Sequence, residues 1–256
     1  MEGRQVLLPM SALPCYRQLT IKPEPAFARI RKLVLIGDAH DLQEPHMQIV
    51  DYAIAKPSDS ADIVRLLAEV FSKSEPPAVA MGLSFGDMEQ FLQLVVPRVI
   101  PDGLTMILRS KDTEGLVGVS LTDDFASFPA LDQNQISSNF LPILFMLEKL
   151  EEQFCGGRTI SPGEYLHVFM LAVDGQFAGR GIGQGLIQAC VDNGLRRGYR
   201  VAFTEATGKV SQHIFQKNGF AERFSVSYRE FMYEDKVVFA SIREHEKAIL
   251  MERSLV

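Results

Sequence analysis

The chain has 256 residues, of which 46% are hydrophobic and 23% charged, with a formal net charge of −6 at pH 7. That length and apolar content can bury a full core in one elaborated domain, while the acidic balance argues against a nucleic-acid partner, whose phosphates want a basic surface. Cys15, Cys155 and Cys190 lack C-x-x-C spacing and the longest apolar run, 140–147, is far too short for a bilayer, so reduced thiols, no metal, no membrane partner and a cytoplasmic location are expected.

Residues 1–46 hold Pro9, Pro14, Pro23, Pro25 and Pro45 and one apolar run, Leu33-Val34-Leu35-Ile36. They read as an N-terminal extension that adds a strand over a sheet edge, with residues 47–256 as the main domain. The run 49–54 alternates as a strand, and Pro57-Ser58-Asp59 leads into a helix over 61–71 with Ile63, Leu66, Leu67, Val70 and Phe71 on one face. A second helical pattern over 87–96 (Met88, Phe91, Leu92, Val95) is expected to stop near Pro97. Residues 104–108 and 116–121, split by Lys111 to Gly115, read as a hairpin. A wide apolar stripe over 140–154 predicts a core helix closed by Gly156-Gly157. An apolar strand over 166–173 follows. After it come a glycine-dense turn, a helix carrying Leu186, Ile187, Ala189, Cys190, Val191 and Leu195, a short strand over 200–206 and a short helix over 211–218 closed by Gly219. Strands over 224–231 and 236–242 are expected to supply the last antiparallel pair.

The turn is the most informative stretch: Ala178-Gly179-Arg180-Gly181-Ile182-Gly183-Gln184-Gly185-Leu186. A strand that empties through glycines into a helix start offers unpaired N–H groups and partial positive charge to an anion, with backbone able to approach it closely. The dinucleotide pattern G-x-G-x-x-G fails, because the sixth position is Gln184 counted from Gly179 and Leu186 counted from Gly181; no lysine follows as a P-loop requires. Arg180-Gly181-Ile182-Gly183-Gln184-Gly185 resembles instead the Q/R-x-x-G-x-G/A pattern of the GNAT N-acetyltransferases. Phe215-Gln216-Lys217-Asn218-Gly219-Phe220 stands where that family carries a Y-x-K-x-G-F-like signature, and the ordered set spans about fifty-five residues.

The resemblance implies a mixed α/β (α+β) GNAT fold, a mostly antiparallel sheet flanked by helices and splayed at an acetyl-CoA site. It implies acetyl-CoA as co-substrate, direct transfer to a primary amine, and a monomer or homodimer. Pantetheine would pair with Leu171, Ala172 and Val173, with the Leu171 amide as oxyanion donor, and pyrophosphate would rest on amides from Arg180 to Gly185, including Ile182, Gly183 and Gln184. Two residues compete as base. His167 lies on the incoming strand, and its unperturbed pKa near 6.5 suits the task. Glu75, in Phe71-Ser72-Lys73-Ser74-Glu75-Pro76, is similar to the F-x-x-x-E-P glutamate of insect-type arylalkylamine N-acetyltransferases, which tilts the acceptor towards a small arylalkylamine-like amine. Each has a plainer reading: a structural strand histidine, and a solvated loop carboxylate. The tyrosine of most relatives is Phe215 here, which has no proton to give; Ser211 and Thr207 are the nearest hydroxyls, Ser211 reading also as a helix cap. The alternative is a catalytically weak CoA-binding sensor or interaction module.

Overall fold

The structure is a computed structural model that describes residues 29–36 and 46–256, with side chains described from Asp51 onward except Gln133. Cys15 and all five prolines of the extension lie outside the described residues.

In chain order the strands and helices are β1 (Arg29–Ile36), β2 (His46–Ile54), α1 (Ser60–Ser74), α2 (Pro76–Ala80), α3 (Phe85–Val99), β3 (Met106–Arg109), β4 (Leu116–Asp124), α4 (Leu141–Cys155), β5 (Tyr165–Val173), α5 (Ile182–Arg196), β6 (Val201–Ala206), α6 (Lys209–Lys217), β7 (Ala221–Ser227), β8 (Met232–Tyr233), β9 (Lys236–Val237) and β10 (Lys247–Ser254). Eight strands form one sheet in the order β1-β2-β3-β4-β5-β6-β10-β7. Its pairs are antiparallel except β5 with β6, which run parallel with α5 as the crossover. The fold is therefore the mixed, mostly antiparallel α/β sheet implied by the GNAT resemblance.

Two apolar clusters hold helices to the sheet. One joins Ile63 and Leu67 of α1, Leu92 and Val95 of α3, and Met146 and Leu150 of α4 to Leu121, Met170 and Phe203. The other joins Ile182, Leu186 and Ile187 of α5 and Phe215 of α6 to Leu166, Val168 and Ala202. Leu166 and Tyr165, neighbours on β5, fall in different clusters, as the two-residue period of a strand requires.

Three expectations need correction. Helix α3 runs through Pro97 to Val99; Pro97 is exposed, so the carbonyl it leaves unpaired can be hydrated, and the helix yields only where Gly103 turns left-handed (φ 67) after a short 3-10 turn. The partner of β7 is β10, not the run 236–242. There, Glu234 and Asp235 (φ 48 and 59) make a tight turn between the two-residue strands β8 and β9, and the chain then spends its apolar residues as core plugs, Phe239 and Ile242. Helix α6 begins at Lys209 with Gly208 as its N-cap, so Ser211 sits inside its first turn.

Candidate active site

The site begins with a fault in β5. Against β4, Asp123 pairs with His167, Thr122 with Val168 and Leu121 with Met170, so Phe169 is an extra residue. The bulge resets the alternation: Phe169 and Met170 both belong with the cluster of α1, α3 and α4, which turns Leu171 and Val173 towards α5. Against β6 the pairing is shorter, ending at His167 with Phe203. At that point the Thr204 hydroxyl donates to the Val168 carbonyl (2.8 Å). Beyond it β5 and β6 part, and a cavity of about 820 Å³ fills the gap.

One side of the cavity is the start of α5. Its N-cap, Gly181, is left-handed (φ 73), and no side chain caps the helix, so the first-turn donors lack intrahelical partners. The Gly185 amide is committed to the Gly181 carbonyl (3.0 Å), which removes it from the expected anion-binding set; Ile182, Gly183 and Gln184 line the cavity. Gly185 answers a different need. A Cβ there would collide with the hydroxyl of Tyr52, which is fully buried, so the glycine lets α5 lie against β2. Arg180 is outside the cavity lining, its guanidinium 5.4 Å from the centre of the Phe177 ring.

The opposite wall is apolar and carries one poised carboxyl. Phe71, Phe91, Phe140, Leu144, Leu147 and Phe169 line it, from α1, α3, α4 and the approach to it, and the bulge. The wide apolar stripe of α4 thus serves as both core and cavity wall. Glu75 stands between α1 and α2, extended at ψ 121 because Pro76 follows; it lines the cavity and accepts from the Ala78 amide. Burial raises its carboxyl to about 7, opposed by hydrogen bonds from Thr207 and Ala78. Such a group gains or loses a proton readily near neutrality.

Leu171, Ala172, Val173, Thr207, Ser211 and Phe215 share this cavity with Glu75 and the α5 amides. Ser211 donates to the Gly208 carbonyl (2.8 Å) and accepts from the Gly208 amide (3.3 Å), so its proton is occupied at the helix start. Phe215 is buried against Phe220, ring centroids 5.1 Å apart.

His167 is elsewhere. It is 3% exposed, outside the cavity lining, with Nδ1 3.3 Å from Asp123 Oδ1 and Nε2 2.9 Å from Glu205 Oε2. Burial alone would lower its pKa, but the charges and hydrogen bonds of Asp123 and Glu205 outweigh it and hold the imidazole well above 6.5. Of the two candidate bases, His167 is thus a buried strand imidazole held between two carboxyls, and Glu75 is the one that lines the cavity. Among the titratable residues that line the cavity, the sequence reading missed Glu205, His213 and His245. A glutamate inside the apolar run Ala202-Phe203-Thr204-Glu205-Ala206 was the available signal for the first, since a buried acid needs a partner. His245 accepts from the Lys209 amide through Nδ1 (3.1 Å) and comes from a loop with no local pattern.

Known proteins share the fold. Residues 122–220 match the model of the acetyltransferase (GNAT) family. Among solved structures, a putative arylalkylamine N-acetyltransferase 7 from the yellow fever mosquito Aedes aegypti superposes with TM-score 0.73 at 21% identity, covering 94% of this chain and 99% of that one. Arylalkylamine N-acetyltransferase 2 of Aedes aegypti gives 0.68 at 22%, covering 81% and 99%. The C-terminal condensation domain of Ebony, in complex with beta-alanyl-dopamine, gives 0.73 at 15%, covering 80% and 98%. At these identities the likeness is one of fold.

Proposed function

We infer that this chain is a GNAT-type, acetyl-CoA-dependent N-acetyltransferase of the cytoplasm that acylates a small primary amine with an apolar, arylalkylamine-like body. The observation that carries this reading is that one cavity in the β5/β6 gap has uncapped α5 amides at one side and Glu75 among aromatic residues at the other.

The residues fit acetyl-CoA. Ile182, Gly183 and Gln184 offer amides to a pyrophosphate, and the parted edge of β5 from Leu171 to Val173 offers backbone to an amide-bearing chain. The co-substrate supplies the acetyl group and a thiolate leaving group, and the chain's residues supply the rest. Phe71, Phe140 and Phe169 receive the amine's apolar body and exclude water. Glu75, anchored by Ala78 and Thr207, takes the proton from the ammonium so that the nitrogen lone pair can attack, with the Leu171 amide as the proposed oxyanion donor. Phe215 gives no proton and Ser211 is occupied at Gly208. A thiol of pKa near ~8.5 leaves tolerably as a thiolate, so slow but real turnover without a dedicated acid is expected.

The test is thiol release from acetyl-CoA against phenylethylamine-type, polyamine and amino-acid acceptors, with calorimetry of acetyl-CoA binding alongside. Turnover favouring the arylalkylamines supports the reading. Tight acetyl-CoA binding without turnover on any amine establishes the CoA-binding module that the loss of the usual tyrosine at Phe215 would favour.

A further inference from the structure

We propose that Asp123, His167 and Glu205 form a positioning clamp across β4, β5 and β6 that fixes the narrow end of the cofactor gap, with His167 as its pin and not as a base. The proposal rests on reading that gap as the acetyl-CoA site.

The clamp lies where the sheet changes. The His167 row is the last at which β5 pairs with both neighbours; one residue later β6 has parted, and two residues later Phe169 bulges. Backbone pairing ends there, and side chains take over the joint. The imidazole reaches Asp123 on β4 at 3.3 Å and Glu205 on β6 at 2.9 Å. Facing a carboxyl oxygen at each nitrogen uses both N–H donors of the imidazolium, whereas a neutral ring has only one. The ring stacks on Phe203 (centroids 4.7 Å apart, planes 11°) and meets Phe125, Phe128 and Phe169 at 5.8, 6.3 and 5.5 Å. It is thereby shut off from any amine in the cavity.

Charge balance argues the same way. The carboxyl groups acting on this row are Asp123 and Asp124 of β4, Glu205 of β6, Glu151 of α4 and Asp102 in the turn after α3, and His167 is the cation among them. Asp123 Oδ2 and Glu205 Oε1 are buried without hydrogen-bond partners. Taking the proton from His167 would leave two buried acids without a counter-charge, an expensive step to repeat in every turnover.

Two measurements decide it. In the native chain, labelled imidazole nitrogens followed from about pH 6 to about pH 8.5 should include one ring that stays doubly protonated throughout; Glu205→Gln, which keeps an acceptor oxygen and removes a charge, should perturb that ring and identify it. In kinetics, Glu205→Gln should raise the acetyl-CoA KM about tenfold and leave the ascending limb of the pH profile in place, because Glu75 is untouched. A His167 ring that titrates across this range overturns the proposal. So does a displaced limb with KM unchanged, the mark of a proton relay, or a variant with native KM. Absence of acetyl-CoA binding to the native chain by calorimetry would instead sink the reading of the gap itself.

Discussion

Glu75 illustrates how one local rule makes a site. The proline after it forbids helix at that position, so α1 ends, the side chain turns to the cavity, and α2 begins with an amide bound to the carboxyl. Its pKa, raised to about 7 by burial, means that the basic form accumulates as pH rises through neutrality, so kcat/KM should climb to a plateau above about pH 8. Glu75→Gln keeps the bond to Ala78 and loses the proton acceptor. It should cut turnover by about 10²–10⁴-fold at neutral pH and erase that limb; a variant with the native pH profile would remove Glu75 from the base role. Ser211 gives the contrasting case. With its hydroxyl spanning the Gly208 amide and carbonyl, Ser211→Ala should cost about 0.5–2 kcal/mol of stability in denaturant titrations and less than about tenfold in kcat. A larger kinetic loss at unchanged stability would make it the missing acid.

Among the elements, α5 joins binding and packing most tightly. Its first turn faces the cavity, and one residue further Gly185 rests on the buried Tyr52 of β2. Gly185→Ala should therefore destabilise the fold by overpacking, on the order of 1–3 kcal/mol in urea unfolding. Tyr52→Phe, which removes the colliding oxygen, should recover part of that loss; an unperturbed Gly185→Ala would mean that α5 sits further from β2. What the sequence made legible follows from such rules. The strand–glycine–helix unit was plain, because glycines at 179, 181, 183 and 185 leave few alternatives, and the stripes of α1, α3 and α4 have a clear period. Strand β10 was not, since Lys-Ala-Ile-Leu-Met-Glu-Arg-Ser consists mostly of strong helix formers. Its pairing with β6 and β7 on both edges decides its conformation, and that is a tertiary fact. A splay in β5 was implied by the resemblance, but the position of the bulge at Phe169 is silent, for an apolar run of nine residues reads the same with or without a slip. His167 and Glu75 were both visible as titratable residues, but which one faces the cavity depends on that slip and on the proline.

At the scale of the whole molecule, the buried titratable groups share one direction. Glu75 is raised to about 7, Glu151 to about 8 and Asp102 to about 6, each chiefly by burial; Asp123 is raised by burial as well. His167 is held above 6.5 by its two acids. A raised carboxyl binds its proton more tightly folded than unfolded, so its stabilising share is complete below the unfolded value near 4.5 for Glu and 3.8 for Asp and is lost as pH climbs through the folded value. The raised histidine behaves likewise, its contribution complete below 6.5 and lost at higher pH. Lowered acids such as Glu69 and Asp87 pull the other way, but they lie at the surface, where screening weakens them. The net expectation is a chain more stable in mild acid than in mild base, with the fall running from about pH 4, where the unfolded acids ionise, to about pH 8, where the last of these folded acids does. The rise of Glu75 activity crosses the same window in the opposite sense, so the ionisation that makes the base competent also strains the fold that holds it. Thermal melts at fixed ionic strength should show Tm decreasing across that window in the native chain and less steeply in Glu75→Gln; a Tm that rises with pH would mean that these acids are solvated in the folded state.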